Sequence, residues 1–156
     1  MVPHLKKLFE NLVDLTLDEE ETSAVAMISM EGEVVQLKSC SMRGGEVEEW
    51  MHAVEESMRY SLKGATRNAI IAFEQDDRKE WITRHCCQVT LTVDTIMWTR
   101  MAEELYLLPS EPTENDEIQN MEEFIVRIVL DLEDAIKLIR TQISHIQRIN
   151  LNALVT

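Results

Sequence analysis

The residues with chemical potential in this chain are few and scattered. His85 stands beside Cys86, a pairing that in other settings activates a thiolate. Neighbours on a helix point about 100° apart, so this histidine is badly placed to take the proton of that thiol. Cys86 or Cys87 fits better as a buried thiol, a small apolar residue of a core. The four histidines, His4, His52, His85 and His145, share no C-x-x-C or H-x-x-x-H spacing, so a zinc site is not expected. Asp131 and Asp134 share one helix face, but an acidic helix produces such pairs without any acid–base role. Gly44-Gly45 lacks the lysine and hydroxyl of a phosphate-binding G-x-x-x-x-G-K-[ST] loop, and no G-x-G-x-x-G follows a strand. Nine methionines in an acidic chain invite comparison with calcium sensors, yet no D-x-[DN]-x-[DN]-G loop is present. The expectation is no catalytic residue, no cofactor-binding residue, no metal ligand and no cofactor.

The elements that would carry these residues are mostly helical. The chain has 156 residues, with only four glycines and three prolines, which favours long helices over a many-turned β fold. Leu5, Leu8, Phe9, Leu12 and Val13 recur at helical spacing behind Pro3, predicting a helix over 3–15. Two β-prone runs flank Met30-Glu31-Gly32 and predict a hairpin over 24–38. A helix pair is expected over 46–107. Its first member runs from Glu46 to Phe73 on a stripe of Val47, Trp50, Met51, Val54, Met58 and Leu62. Its second starts at a cap on Asp76 or Asp77.

The stretch 109–116, with two prolines, reads as a linker. Beyond it, Ile125, Val129, Leu132, Ile136, Ile139, Ile143 and Ile146 alternate spacings of four and three. That heptad-type seam predicts one long helix over 117–151 and suggests a coiled coil. Seven such side chains are too apolar to leave wet, so the seam is expected to be buried on the helix from Glu46 to Phe73, on the next one, or on both. The expected fold class is mainly α, an elongated bundle of long helices with one short β-hairpin near the N-terminus, forming a single segment over 1–156.

Composition narrows the partners. A net charge of −14 repels nucleic-acid phosphates and anionic lipid, so neither nucleic acid nor membrane is expected as a partner. No window is apolar enough for a transmembrane helix, and Met1–Phe9 does not read as a secretory signal. Three cysteines, Cys40, Cys86 and Cys87, two of them adjacent, fit reduced thiols in a cytoplasmic setting.

The middle of the chain resembles the linker region of dynein heavy chains, the axonemal branch in particular. Glu31-Gly32-Glu33-Val34-Val35 is a short run prominent in that family. Val47, Trp50 and Met51 fall on its "VE-x-W-L" helix start, and Met58-Arg59 with Leu62 on "M-R-x-x-L". Arg78 and Trp81 match "R-x-x-W". Gln88-Val89 with Leu91-Thr92 matches "Q-V-x-L-T", and Ile96 with Trp98-Thr99 matches "I-x-W-T". In order and at these spacings the motifs are specific together. Weaker agreement extends to Pro3–Phe9 and Arg148–Leu154. One departure is Cys86, where the family often has proline.

The resemblance implies a mechanical part: a helical arm over a ring of ATPase modules, moving as nucleotide is hydrolysed elsewhere. It implies that ring as the partner within the same heavy chain, microtubules only indirectly, and a location in the axoneme of cilia or flagella. A rod of helix pairs with Trp50, Trp81 and Trp98 buried is a plausible lever. The alternative is an independent acidic helical adaptor whose heptad seam recruits a partner helix. An acidic enzyme with an unrecognised site ranks last.

Overall fold

The computed structural model of the protein describes residue 7 and residues 9–43, 46–106 and 114–155. The chain divides into two compact units, Met1–Asn68 and Ala69–Thr156. Among the described residues it is mainly helical, with one small three-stranded antiparallel sheet.

The first unit is built on strands β1 (Leu12–Leu17), β2 (Ser23–Ser29) and β3 (Val34–Ser41), in the order β1-β2-β3. The helix expected over 3–15 is therefore corrected for residues 12–15, which lie in β1. Its residues 3–6 and 8 lie outside the described residues. In β1 the buried Leu12 and Leu15 stand three residues apart across a register irregularity between Leu12 and Asp14, and pairing with β2 outweighs the helical spacing of its leucines. The β2–β3 hairpin stands as two strands of this meander.

Its turn explains Gly32. The Gly32 amide donates to the Ser29 carbonyl at 3.0 Å, and the Ser29 amide donates to the Glu33 carbonyl at 2.9 Å. Gly32 sits at φ 84°, a left-handed position that glycine adopts without steric cost. The β1–β2 turn is held instead by Asp18, whose carboxylate accepts from the Thr22 amide at 2.6 Å and the Ser23 amide at 3.1 Å.

Leu12, Leu15, Ala24, Met27 and Leu37 form a core with Val54 of helix α1 (Val47–Phe73). Trp50, Met58 and Leu62 of the same helix pack around it. Polar groups lock α1 onto β3 as well. The β2–β3 register is irregular between Ala24 and Ala26, whose partners are Cys40 and Gln36. Lys38 falls inside that bulge. Its amide donates to Ser61 Oγ at 2.7 Å, and its carbonyl accepts from Ser57 Oγ. Two serines one helical turn apart thus satisfy a backbone unit at the interruption of the ladder.

The second unit contains the last turn of α1 and helices α2 (Arg78–Arg84), α3 (Cys87–Tyr106), α4 (Glu114–Ile139) and α5 (His145–Val155). Three helices, not a pair, therefore occupy 46–107. Asp77 caps α2, accepting from the Lys79 amide at 3.3 Å. The chain turns extended at His85 (φ −99°, ψ 153°), and α3 starts at Cys87. The break falls at His85 and Cys86.

The long helix expected over 117–151 is also two helices. α4 ends at Ile139, and Ser144 with Gln147 builds a reciprocal cap for α5. The Gln147 amide donates to Ser144 Oγ at 3.2 Å, and the Ser144 amide donates to Gln147 Oε1 at 2.9 Å. The linker expected over 109–116 lies outside the described residues up to 113, and α4 starts at Glu114.

Candidate functional site

Arg78 is held within the second unit by two aromatic rings and a carboxylate. Its guanidinium lies 4.9 Å from the ring centroids of both Phe73 and Trp81, and it pairs with Asp94 of α3. Trp81 is fully buried, meets Phe73 edge-on at 5.0 Å, and donates its indole N–H to the Ala69 carbonyl at 2.8 Å. That bond ties α2 to the last turn of α1. Arg84 pairs with Asp76 across the turn before α2.

Arg78, Asp94 and Asp131 line a cavity of about 210 Å³ with Phe73, Trp98 and Leu132 among its apolar walls. Arg78 Nε and Nη1 are buried and reach no protein acceptor. A space of that size with three polar residues on its wall meets the needs of bound water. Burial pushes the Asp131 carboxyl up, partly offset by the Arg78 and Arg127 charges, while Asp94 and Asp134 push it further up. His85 moves down, because burial disfavours its charged form and Arg84 stands close, against a weaker opposing pull from Asp76. Its Nε2 is buried without a hydrogen-bond partner, and its ring packs against Trp81 at 5.5 Å.

His85 and Cys86 occupy the extended joint between α2 and α3, not one helix turn. Cys40, Cys86 and Cys87 are half-buried, and none takes part in a disulfide. Among the described residues no group of three His, Cys, Asp or Glu side chains could hold a metal ion. No helix of the described residues is long and apolar enough to cross a membrane.

The family-motif residues do not converge on one place. Glu31, Gly32 and Glu33 form the β2–β3 turn, and Val47 is exposed in the first turn of α1. Trp50 and Met58 are half-buried against the sheet core. Trp81 anchors the second unit. Gln88 and Thr99 are exposed on α3, where Thr99 Oγ1 donates to the Thr95 carbonyl at 2.8 Å. Trp98 is corrected from the expected buried anchor: it is 51% exposed, with its ring 6.2 Å from that of Phe124 on α4.

The heptad seam is the largest correction. Ile125, Val129, Leu132 and Ile136 are all exposed, by 39 to 52%. Ile139 is half-buried, and Ile143 and Ile146 lie beyond the end of α4. The face of α4 that enters the core carries Ala135 and Leu138, packed among α2, α3 and α5. Ile128 and Leu132 line the Arg78 cavity while remaining partly exposed. Sequence reading missed Arg78 and Asp94 as a pair, because sixteen positions separate them and only the fold joins them. It also missed the Ser144–Gln147 cap, although S-x-x-Q is a sequence signal.

Comparison with known proteins supplies what the geometry alone does not. Residues 1–69 match the family described as dynein heavy chain, N-terminal region 2. The chain is 32% identical over 157 residues to mouse (Mus musculus) dynein axonemal heavy chain 12, covering 99% of this chain and 5% of that protein. It is 32% identical over 154 residues to human (Homo sapiens) dynein axonemal heavy chain 1, covering 98% of this chain and 3% of that protein. It is 30% identical over 161 residues to human dynein axonemal heavy chain 2, covering 99% of this chain and 4% of that protein. The chain thus spans about one-twentieth or less of the length of these relatives. Over nearly their whole length these 156 residues are similar to a segment of axonemal dynein heavy chains, and residues 1–69 match the family described as dynein heavy chain, N-terminal region 2.

Proposed function

We propose that the chain is part of the mechanical linker of an axonemal dynein heavy chain, a microtubule-based motor of cilia and flagella. In this reading the segment hydrolyses no ATP and binds no cofactor. It transmits movement generated in the ATPase ring of the same heavy chain, and it touches microtubules only through the rest of the motor. The observation that carries the reading is similarity over nearly the whole chain to axonemal heavy chains, with the N-terminal region matched over 1–69. The order and spacing of the motifs around Trp50, Trp81 and Trp98 agree with it. So does the lack of a phosphate-binding loop in the sequence. Interlocked helices suit a part that passes on displacement, because packed interiors deform little.

The test separates force transmission from chemistry. A heavy chain carrying Trp81→Ala is expected to keep nucleotide binding and basal ATP turnover, while microtubule gliding slows by at least roughly tenfold. That factor corresponds to about 1.4 kcal/mol on the step that couples the two. Loss of turnover in proportion to gliding would overturn the linker reading. A second reading, an independent adaptor, is favoured by one observation, the exposed apolar face of α4. It requires the 156-residue chain to act apart from a motor.

A further inference from the structure

α4 is amphipathic, yet most of its large apolar side chains from Met121 to Ile136 are exposed. Met121, Ile125, Ile128, Val129, Leu132 and Ile136 are all more than a third exposed and follow one another at spacings of four, three, one, three and four. At 100° per residue they fall within one continuous arc beside the buried Ala135 and Leu138. Between Met121 and Leu130, ring packing against Trp98 involves Phe124 alone. Ile128 and Leu132 also border the Arg78 cavity, so the stripe leads into a recess and not onto a flat wall. Alternation of threes and fours is the geometry that a second helix meets, knobs into holes.

We infer that this α4 face is the docking surface for one further amphipathic helix, basic along its flanks, supplied by the same heavy chain outside these 156 residues. The inference rests on the heavy-chain reading for the source of the helix, but not for the surface itself. Charge selects the occupant. At 100° per residue, Glu122 and Glu133 flank the arc on one side and Asp131 on the other, whereas Glu123, Arg127, Asp134 and Lys137 fall on the opposite face. Lys137 pairs with Glu133 at 3.5 Å and with Asp134 at 3.1 Å, which leaves Glu122 and Asp131 as the flanking carboxylates without a lysine of α4 beside them. A second copy fits poorly, because an antiparallel twofold about Leu132 brings Asp131 and Glu133 of both chains together. Each copy also carries −14. Anionic lipid is rejected on the same ground. The relatives supply the length for an internal partner, since this chain spans 5% or less of the three described above.

The surface is tested on the 156-residue chain, followed by Trp98 fluorescence, with synthetic four-heptad helices carrying leucine at a and d. One has lysine at the flanking e and g positions, one has glutamate there, and one is a scrambled lysine peptide of the same composition. Micromolar binding of the lysine helix is expected, weakened at least roughly tenfold by glutamate flanks, by scrambling, or by Ile125→Ser with Val129→Ser. Circular dichroism of that double variant should match the parent, because both side chains are exposed. Equal binding of all three peptides, or of none, overturns the surface and leaves the motor reading untouched. A dimer in sedimentation equilibrium that Val129→Ser dissociates overturns it in favour of a second copy. The source is tested in the full heavy chain with a photo-crosslinker at position 129. The expected product is a crosslink within the same polypeptide, to a helix with basic flanks. A crosslink to another polypeptide, or none, overturns the assignment of the source.

Discussion

Two glycines show how one substitution changes sign with backbone geometry. An added Cβ meets nothing within 4 Å at either Gly32 or Gly64, so packing does not separate them. Gly32 is held at φ 84° by the β2–β3 turn. Gly32→Ala should therefore destabilise the first unit by ~1–2 kcal/mol, the cost of left-handed backbone for a residue with a Cβ. Gly64 lies inside α1, where glycine forfeits helix propensity. Gly64→Ala should stabilise by ~0.5–1 kcal/mol. Urea melts of both variants check the pair, and equal shifts of the same sign would refute the backbone argument. Legibility at this scale was uneven. Gly32 in a turn was readable because two β-prone runs flank it. Trp81 and Trp98 look alike in sequence, however, and only the fold puts one in the core and the other half in water. The partner of Arg78 was out of reach, because a salt bridge between separate helices leaves no periodic trace.

Helices and strands were legible where one period dominated and no cap intervened. α1 was read nearly to its ends, because its stripe and the carboxylates Glu48 and Glu49 in its first turn agree. β1 was misread because its leucines also fit a helical period, and its pairing with β2 is tertiary information. The seam past Ile139 was misread for a different reason. The four–three rhythm runs on through Ile143 and Ile146, although the helix carrying it has ended. Ser144 and Gln147 mark the new start, and apolar periodicity drowned that polar signal. Ser144→Ala should cost ~1 kcal/mol, since it removes the side-chain acceptor of the Gln147 amide at the N-terminus of α5. Ser144→Asp should keep most of the stability, because its carboxylate also caps and suits the positive end of the helix. Thermal melts of the two variants separate a cap from a residue that is merely exposed; equal loss for both would rule the cap out.

Below neutrality, three groups among the described residues shift stability with pH and pull in two directions. Hydrogen bonds from the Thr22 and Ser23 amides hold the Asp18 carboxyl below its usual value. Its contribution is full above the ordinary aspartate range and is lost as pH falls through its lowered folded value. His85 behaves alike at higher pH. Burial beside Trp81 lowers it, so its stabilising effect is complete above the ordinary imidazole value near 6.5 and disappears as pH falls through the folded value. Protonation there would also place a charged N–H on an Nε2 that has no acceptor. Asp131 runs the other way. Its folded value is raised by burial, so its favourable contribution exists below the ordinary aspartate value and is lost as pH rises through the raised one.

The molecule should therefore lose stability as pH falls from neutrality through the folded value of His85, and Asp131 should oppose that loss once pH falls through its own raised value. Two variants separate these contributions. His85→Gln should flatten the decline between pH 7 and pH 5. Asp131→Asn should raise the melting temperature at pH 7, where the parent carries a partly buried charge. At pH 3 it should leave the melting temperature nearly unchanged, because the parent carboxyl is then neutral as well. Arg78 sets the size of that second effect, since its guanidinium is the strongest charge stabilising ionised Asp131. In an Arg78→Met background the gain from Asp131→Asn at pH 7 should grow. A gain that is unchanged there, or one that persists at pH 3, would mean that Asp131 acts through packing and not through its charge.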